Sequence, residues 1–333
     1  MANSDEIQTA KNAGIIPVLV PEQWNLLDDD RCDSLVAWLS LYLGIEGRAG
    51  SEHTFLAKKR DLEAFIAFLQ SAAGTDHPDV WTRSLTRDFL RQLEREGRGP
   101  ATINRILATI RHAAAWVHSQ RPLLAGNPTE RVPDLEVDAP EWKGLEPIQV
   151  SRLKSAAEQL IQIQRRSNQQ PVRNFAILLC LLHTGLRVSE LLSLDLSQYE
   201  GKHVKNVRRK GKAVTRKVFL AQDAREALDR YIDEDRGHAS GALFRSRSGE
   251  RLARQHVDAA LKAIARQANS TLKPEEHIHL SAHDLRHTFL RQVANRYGVH
   301  CAKELAGHTS DRYIWRYVQP SDDQKQQVVD SLF

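Results

Sequence analysis

The stretch "FAILLCLLHTGLRVSELLSL", residues 175–194, passes from an unbroken apolar block through a glycine to an arginine and a glutamate. Its first eight residues carry no charge, yet fall well short of the about 20 that a membrane span needs. A helix that is apolar on every side is one surrounded by protein, so residues 172–182 are predicted to form the central helix of a globular core. Gly185 breaks that helix, and Arg187 follows at the break. A guanidinium beside so apolar an element needs an anion or a carboxylate, because burying it without a partner is very costly. Glu190, one helical turn on, can be that partner, and taken alone the stretch reads as a structural salt bridge.

On either side of this centre the pattern stays helical. Residues 148–160, 223–235, 254–268, 284–297 and 301–306 are predicted helices. Between them "HVKNVRRKGKAVTRKVFLAQD", residues 203–223, alternates β-branched residues with charges around Lys210-Gly211-Lys212 and reads as a hairpin turning near Gly211. Upstream, Cys32, Leu35, Val36, Leu39 and Leu43 repeat at the spacing of one buried helix face, from about Asp30. Leu62, Phe65, Ile66 and Leu69 repeat it. A third helix covers "TRDFLRQLEREG", with Thr86 as cap and Gly97 as stop. A fourth belongs to the stretch opened by "GRGPATINR" and carries Ile103, Ile106, Leu107, Ile110 and Trp116. Pro128, Pro133, Pro140 and Pro147 interrupt regular structure between the two halves. The expected organisation is a tail at 1–29, a helical domain at 30–127, a linker at 128–146, a second, mainly helical domain with a small antiparallel sheet at 147–320, and a tail at 321–333.

Bulk properties narrow the class. A chain of 333 residues favours two domains, and its formal net charge of +5 with clustered cations favours an anionic partner, nucleic acid first. Cys32, Cys180 and Cys301 are scattered without metal spacing, so neither a disulfide framework nor a zinc site is expected. The N-terminal residues show no secretory pattern. A cytoplasmic protein with no membrane association is expected.

The second domain carries four chemistry-bearing stretches. The first is Arg187 with Glu190. The second is the hairpin, where Lys202, Lys205, Arg208, Arg209, Lys210, Lys212, Arg216 and Lys217 occur without an intervening acid. Such a hairpin is either a solvated basic face or a surface held against a polyanion. The third is "SAHDLRHTF": His283 and Arg286 lie at i and i+3, so a helix opened by Asp284 projects both from its first turn. The fourth is "AGHTSDRYIWRY", with His308, Tyr313 and Tyr317. Two arginines, a lysine, two histidines and a tyrosine, without a metal-binding trio of carboxylates, describe metal-independent phosphoryl transfer. Arginines neutralise the transition state, a lysine or histidine protonates the leaving oxygen, and tyrosine attacks. Spacing on a helix does not separate Tyr313 from Tyr317, which are i and i+4.

The order "TGLRVSELL", a basic hairpin with Lys-Gly, "HDLRHTF", "AGH" and a following tyrosine resembles the tyrosine recombinases, or phage integrase family, across nearly all of the second domain. The region "GPATINRILATIRHAAAWVHSQRPLLAGNP" is similar to that family's SAM-like core-binding domain. The resemblance implies Arg187, Lys210, His283, Arg286, His308 and Tyr317 as catalytic residues, with Glu190 in support and Lys212 as rival to Lys210. It selects Tyr317 because the family's nucleophile lies nine residues beyond the histidine that His308 matches. It further implies a site-specific recombinase acting through a 3′-phosphotyrosyl bond and a Holliday junction, without cofactor or metal, as a homotetramer on two double-stranded DNA sites, with or without accessory proteins. The final residues are expected either to fold back or to dock on a neighbouring subunit.

The rivals are a type IB topoisomerase, which shares the chemistry, and a DNA-binding module with a decayed site. The short N-terminal tail suits a simple Cre or Xer type over a lambda type. Lys58, Lys59, Arg60, Arg98, Arg105, Arg111, Arg208, Arg209 and Lys212 are the expected DNA contacts.

Overall fold

The computed structural model describes residues 33–46, 51–137, 144–164, 170–209, 213–307, 326 and 329–331. The chain divides into two compact units, Met1–Ala139 and Pro140–Phe333.

In the first unit the described residues form helices α1 (Leu35–Ile45), α2 (Glu52–Ala73), α3 (Arg83–Arg95) and α4 (Pro100–Gln120). Helix α1 starts later than its periodicity suggests. The Ser34 hydroxyl accepts from the Ala37 N–H and donates to Asp76, which fixes the first turn at Leu35; Cys32 lies outside the described residues. Helix α3 also begins elsewhere than expected. Thr82, not Thr86, caps it by accepting from the Leu85 N–H. Thr86 is fully buried, and its hydroxyl accepts the indole N–H of the equally buried Trp81 at 3.0 Å. A buried tryptophan needs that acceptor, so the better buried threonine serves the core and the other serves the helix end. Pro100 occupies the first turn of α4, where its missing N–H costs nothing. Leu35, Leu39, Leu62, Phe65, Phe89, Leu107 and Ile110 meet in one core, with Phe65 5.3 Å from Phe89 and 4.9 Å from Trp81 between ring centres.

Part of the expected linker packs onto this unit. Val132 is buried in its core, and the Asn104 side chain exchanges hydrogen bonds of 2.9 and 2.8 Å with the backbone of Leu135. Leu145, at the far end of that stretch, belongs to the core of the second unit, where its N–H donates to Thr288 Oγ1.

The second unit contains α5 (Pro147–Gln164), α6 (Pro171–Thr184), the short α7 (Val188–Leu192), strands β1 (His203–Arg208) and β2 (Val214–Phe219), α8 (Gln222–Tyr231), α9 (Arg254–Asn269) and α10 (Ala282–Ala306). Helix α6 is the centre, buried at every position from Ala176 to Leu182 and packed by α5, α8, α9 and α10. The hairpin pairs antiparallel with Val204 opposite Val218 and Val207 opposite Thr215. Val204 and Val207 face the core three positions apart because Asn206 takes a φ of 52° and breaks the alternation. Residues 210–212, on which the expected turn falls, lie outside the described residues. The helix expected to reach 235 gives way at Ile232 to a wider π turn through Arg236, whose buried guanidinium donates to the carbonyls of Gly237, Ala239 and Ala242. The expected break between 297 and 301 is a single residue, Gly298, at φ 83° and ψ 165° within α10. Among the described residues no helix is long and apolar enough to cross a membrane.

Candidate active site at the α6–α7 break

The break is built from "HTGLR" in steps. The Thr184 hydroxyl donates back to the Cys180 carbonyl at 2.6 Å and accepts from the Leu186 N–H at 3.2 Å, closing the last turn of α6. Gly185 then takes the left-handed conformation, φ 60°, which glycine adopts freely. A Cβ here would lie 2.5 Å from Cδ1 of Phe289 on α10, so glycine is required by space as well as by backbone angle. The chain turns, and Arg187 becomes the residue before α7.

Glu190 is buried and satisfied from three directions. Its Oε2 accepts from the Arg187 N–H at 2.9 Å, its Oε1 accepts from Arg187 Nη1 at 2.8 Å, and Arg209 Nη1 donates to Oε2 at 2.9 Å. Burial alone would raise the carboxyl, but the Arg187 backbone and side chain together with Arg209 outweigh it and hold it below the usual carboxylate range. Two guanidiniums on one carboxylate leave one positive charge in excess, and it is presented by Arg187, whose side chain is 34% exposed against 2% for Arg209.

Helix α10 brings the second arginine. Ser281 caps it, with the Asp284 carboxylate accepting from the Ser281 N–H at 2.8 Å, so the helix opens at Ala282 and Asp284 is its third residue, not its first. Arg286 is buried and donates to the Gly185 carbonyl and, at 3.0 Å, to the Ala306 carbonyl. Arg209 Nη2 reaches the Leu305 carbonyl at 3.4 Å. The Leu305 and Ala306 carbonyls belong to the last turn of α10, where they have no partner within the helix and form the negative end of its dipole. Gly307 closes the helix at φ 63°, and a Cβ on it would lie 2.9 Å from Arg209 Nε. His283 stands exposed near the start of α10, edge-on to His287 with ring centres 4.2 Å apart. Partial burial, then the charges of Arg286 and Arg187, lower its pKa and favour the neutral ring.

The structure thus brings Arg187, Glu190 and Arg286 together around one turn, with His283 near by. Lys210, Lys212, His308, Tyr313 and Tyr317 lie outside the described residues. Among the expected DNA contacts, Arg60 and Arg208 are exposed, Lys59 stands 3.8 Å from Glu63 and Arg98 3.9 Å from Glu96. Lys58 is half-buried on α2. Arg105 is held by a two-pronged contact to the buried Asp61, at 2.5 and 2.8 Å, and Arg111 donates to the Val132 carbonyl and to Asp134. Arg209 is a correction: it is not a surface phosphate contact but the buried counter-charge of Glu190. The hairpin is also less uniformly positive than its sequence, since Lys205 pairs with Glu200. Nothing in a run of eight cations marks which one turns inward; the one hint is that Glu190 has two oxygens to satisfy.

Residues 148–324 match the phage integrase family, and residues 38–120 match the phage integrase N-terminal SAM-like domain. Tyrosine recombinase XerD of Oceanobacillus iheyensis is 29% identical over 279 residues, covering 80% of this chain and 87% of that protein. Tyrosine recombinase XerC of Neisseria meningitidis serogroup B is 29% identical over 283 residues, covering 84% and 89%. In structure the chain resembles a lambda integrase (75–356) dimer bound to a COC′ core site, with a TM-score of 0.66 at 19% identity over 86% of this chain and 95% of that one. It also resembles the Tn1549 transposon integrase in complex with a circular intermediate DNA, at 0.67 and 18%, with the same coverage. At those identities the structural likeness establishes the fold: a SAM-like helical unit followed by a mainly helical one with a small antiparallel sheet. With one match spanning more than half of the chain and the other covering the first unit, the protein belongs to the phage integrase family, the tyrosine recombinases.

Proposed function

We propose that the protein cuts and rejoins DNA at specific sites through a covalent bond to Tyr317. The observation that carries this is the pair of arginines fixed at the Gly185 turn: Arg286 bonded to its carbonyl, and Arg187 two residues on, with a charge that Glu190 does not fully cancel. Fixed guanidiniums favour the phosphorane-like transition state over the ground state because they need not reorganise as charge develops. Tyr317 gives up its phenolic proton to a neighbouring base or to the phosphate, and its Oη forms a bond to phosphorus while the bond to the 5′ oxygen breaks. Lys210, on the turn of the hairpin, supplies the proton that the leaving oxygen takes up, and His283 and His308 complete the set around the phosphate. The 5′ hydroxyl of a partner strand reverses the step. Bond energy is conserved in the phosphotyrosine, so no nucleotide is consumed. Two such exchanges on paired sites, passing through a Holliday junction, are the work of a tetramer acting on cytoplasmic DNA, in the resolution of dimers or cointegrates or the movement of an element.

The test uses a nicked duplex carrying the sequence that the full chain selects from a random pool. The wild type and Tyr313→Phe should form a covalent adduct, while Tyr317→Phe binds and forms none. Adduct formation by Tyr317→Phe would overturn the assignment, and site-independent relaxation of a supercoiled plasmid would move it to the topoisomerases. Arg187→Ala or Arg286→Ala should slow cleavage by at least about 100-fold.

A further inference from the structure

Arg209 immediately precedes Lys210 in the sequence, yet its side chain is only 2% exposed. Its guanidinium is used in three directions: Nη1 to Glu190 Oε2 at 2.9 Å, Nε to Thr215 Oγ1 at 2.9 Å and Nη2 to the Leu305 carbonyl at 3.4 Å. Each partner sits on a different piece of the site. Glu190 holds Arg187, Thr215 lies on the second strand of the hairpin, and Leu305 is in the last turn of α10, with Gly307 packed against the same guanidinium.

A buried ion pair is a poor way to gain stability, since the cost of removing both charges from water offsets most of their attraction. Two other consequences are not so offset. Glu190 and Arg187 alone would form a neutral pair, and a neutral pair attracts a phosphate weakly; sharing the carboxylate with Arg209 restores the excess charge that Arg187 presents. The planar fork of Arg209 also sets the plane of the carboxylate, and so the direction in which Arg187 Nη1 must lie to reach Oε1.

We propose that Arg209 is a positioning residue for strand cleavage, orienting Arg187 through Glu190 and locking the hairpin that carries Lys210 to the end of α10. The inference rests on the cleavage role given to Arg187 above.

The experiment is single-turnover cleavage of the nicked duplex at saturating protein, with binding measured separately by gel shift. Arg209→Gln should cleave about 10- to 100-fold more slowly with site affinity within about twofold of wild type, the size of effect expected from misplacing a catalytic group by a fraction of an ångström to an ångström. Arg209→Lys should recover part of the rate, because an ammonium can reach Glu190 but cannot span all three partners. A variant carrying both Glu190→Gln and Arg209→Gln should lose no more than the worse single variant, since the route through Glu190 is already one of those that Arg209→Gln breaks. Wild-type cleavage by a folded Arg209→Gln, or losses that multiply in the double variant, overturns the proposal. Where thermal melting shows Arg209→Gln unfolded, Thr215→Val decides: it removes one acceptor at a half-exposed strand position and should slow cleavage about two- to tenfold with unchanged binding. Unchanged cleavage by Thr215→Val then overturns it. A wild type that forms no Tyr317 adduct instead removes the recombinase reading itself, so the two failures are distinct.

Discussion

Replacing Gly185 with alanine adds one methyl group where α6 ends against Phe289 of α10. Two costs arise. The φ of 60° is one that alanine adopts only at about 1–2 kcal/mol. The new Cβ would stand 2.5 Å from Phe289 Cδ1, well inside van der Waals contact, and overpacking of this kind costs about 1–3 kcal/mol as ring and helix shift apart. Together they predict a loss of about 2–5 kcal/mol, confined to the unit that holds α6 and α10. Tryptophan fluorescence would not assign the loss to one unit, because Trp38, Trp81 and Trp116 lie in the first and Trp142 and Trp315 in the second. Native-state hydrogen exchange resolved by mass spectrometry reads the two units separately: the slowest amides of α6 should lose that much protection while those of α4 keep theirs. Adding Phe289→Ala should relieve the clash and leave the backbone strain, so the double variant should be less destabilised than the sum of the singles by about 1–3 kcal/mol. A change in α6 below about 0.5 kcal/mol, or an equal loss in α4, would refute the argument.

Three further outcomes are expected. Glu190→Gln should destabilise the protein by about 3–5 kcal/mol at neutral pH by leaving Arg209 buried without its counter-charge. Because the carboxyl sits below its ordinary 4.5, its contribution is complete above that value and fades as pH falls through the depressed one, so the gap between variant and wild type in urea unfolding should narrow in acid. Arg208→Ala, on the exposed side of the hairpin, should lower the slope of log affinity against log salt by about one in gel-shift titrations, and an unchanged slope would remove it from the DNA contacts. Thr86→Val should cost the first unit about 1–3 kcal/mol by orphaning the Trp81 indole N–H, measured by tryptophan fluorescence in urea.

The helices were legible because their burial follows a period that the sequence displays directly: Leu62, Phe65, Ile66 and Leu69 are fully buried, and the uniformly apolar 176–182 is the centre of its unit. Arg187 and Glu190 pair as their spacing suggested, since partners three residues apart on a turn are a local matter. What escaped was decided by contacts that sequence distance conceals. Thr82 and Thr86 are equivalent as helix caps until Trp81 claims one of them. Arg209 is one cation among eight until folding sets it beside a carboxylate 19 positions away and a helix end 96 positions away. The proline-rich stretch read as a linker because prolines exclude helix and strand, but they do not prevent an irregular segment such as 132–135 from packing on a core.

The carbonyls that end α10 bear on the order in which the molecule assembles. Arg286 joins residues 101 positions apart and Arg209 joins residues 96 apart, whereas the helices themselves close through local contacts. Closing such long loops is slow, and it follows rather than precedes the formation of the elements being joined. During synthesis the first unit and α5 to α8 can form while α10 is still missing, but Arg209 and Glu190 then lack the helix end that completes their arrangement. The arrangement of Arg187, Glu190, Arg209 and Arg286 around Gly185 is therefore among the last features of the second unit to be set.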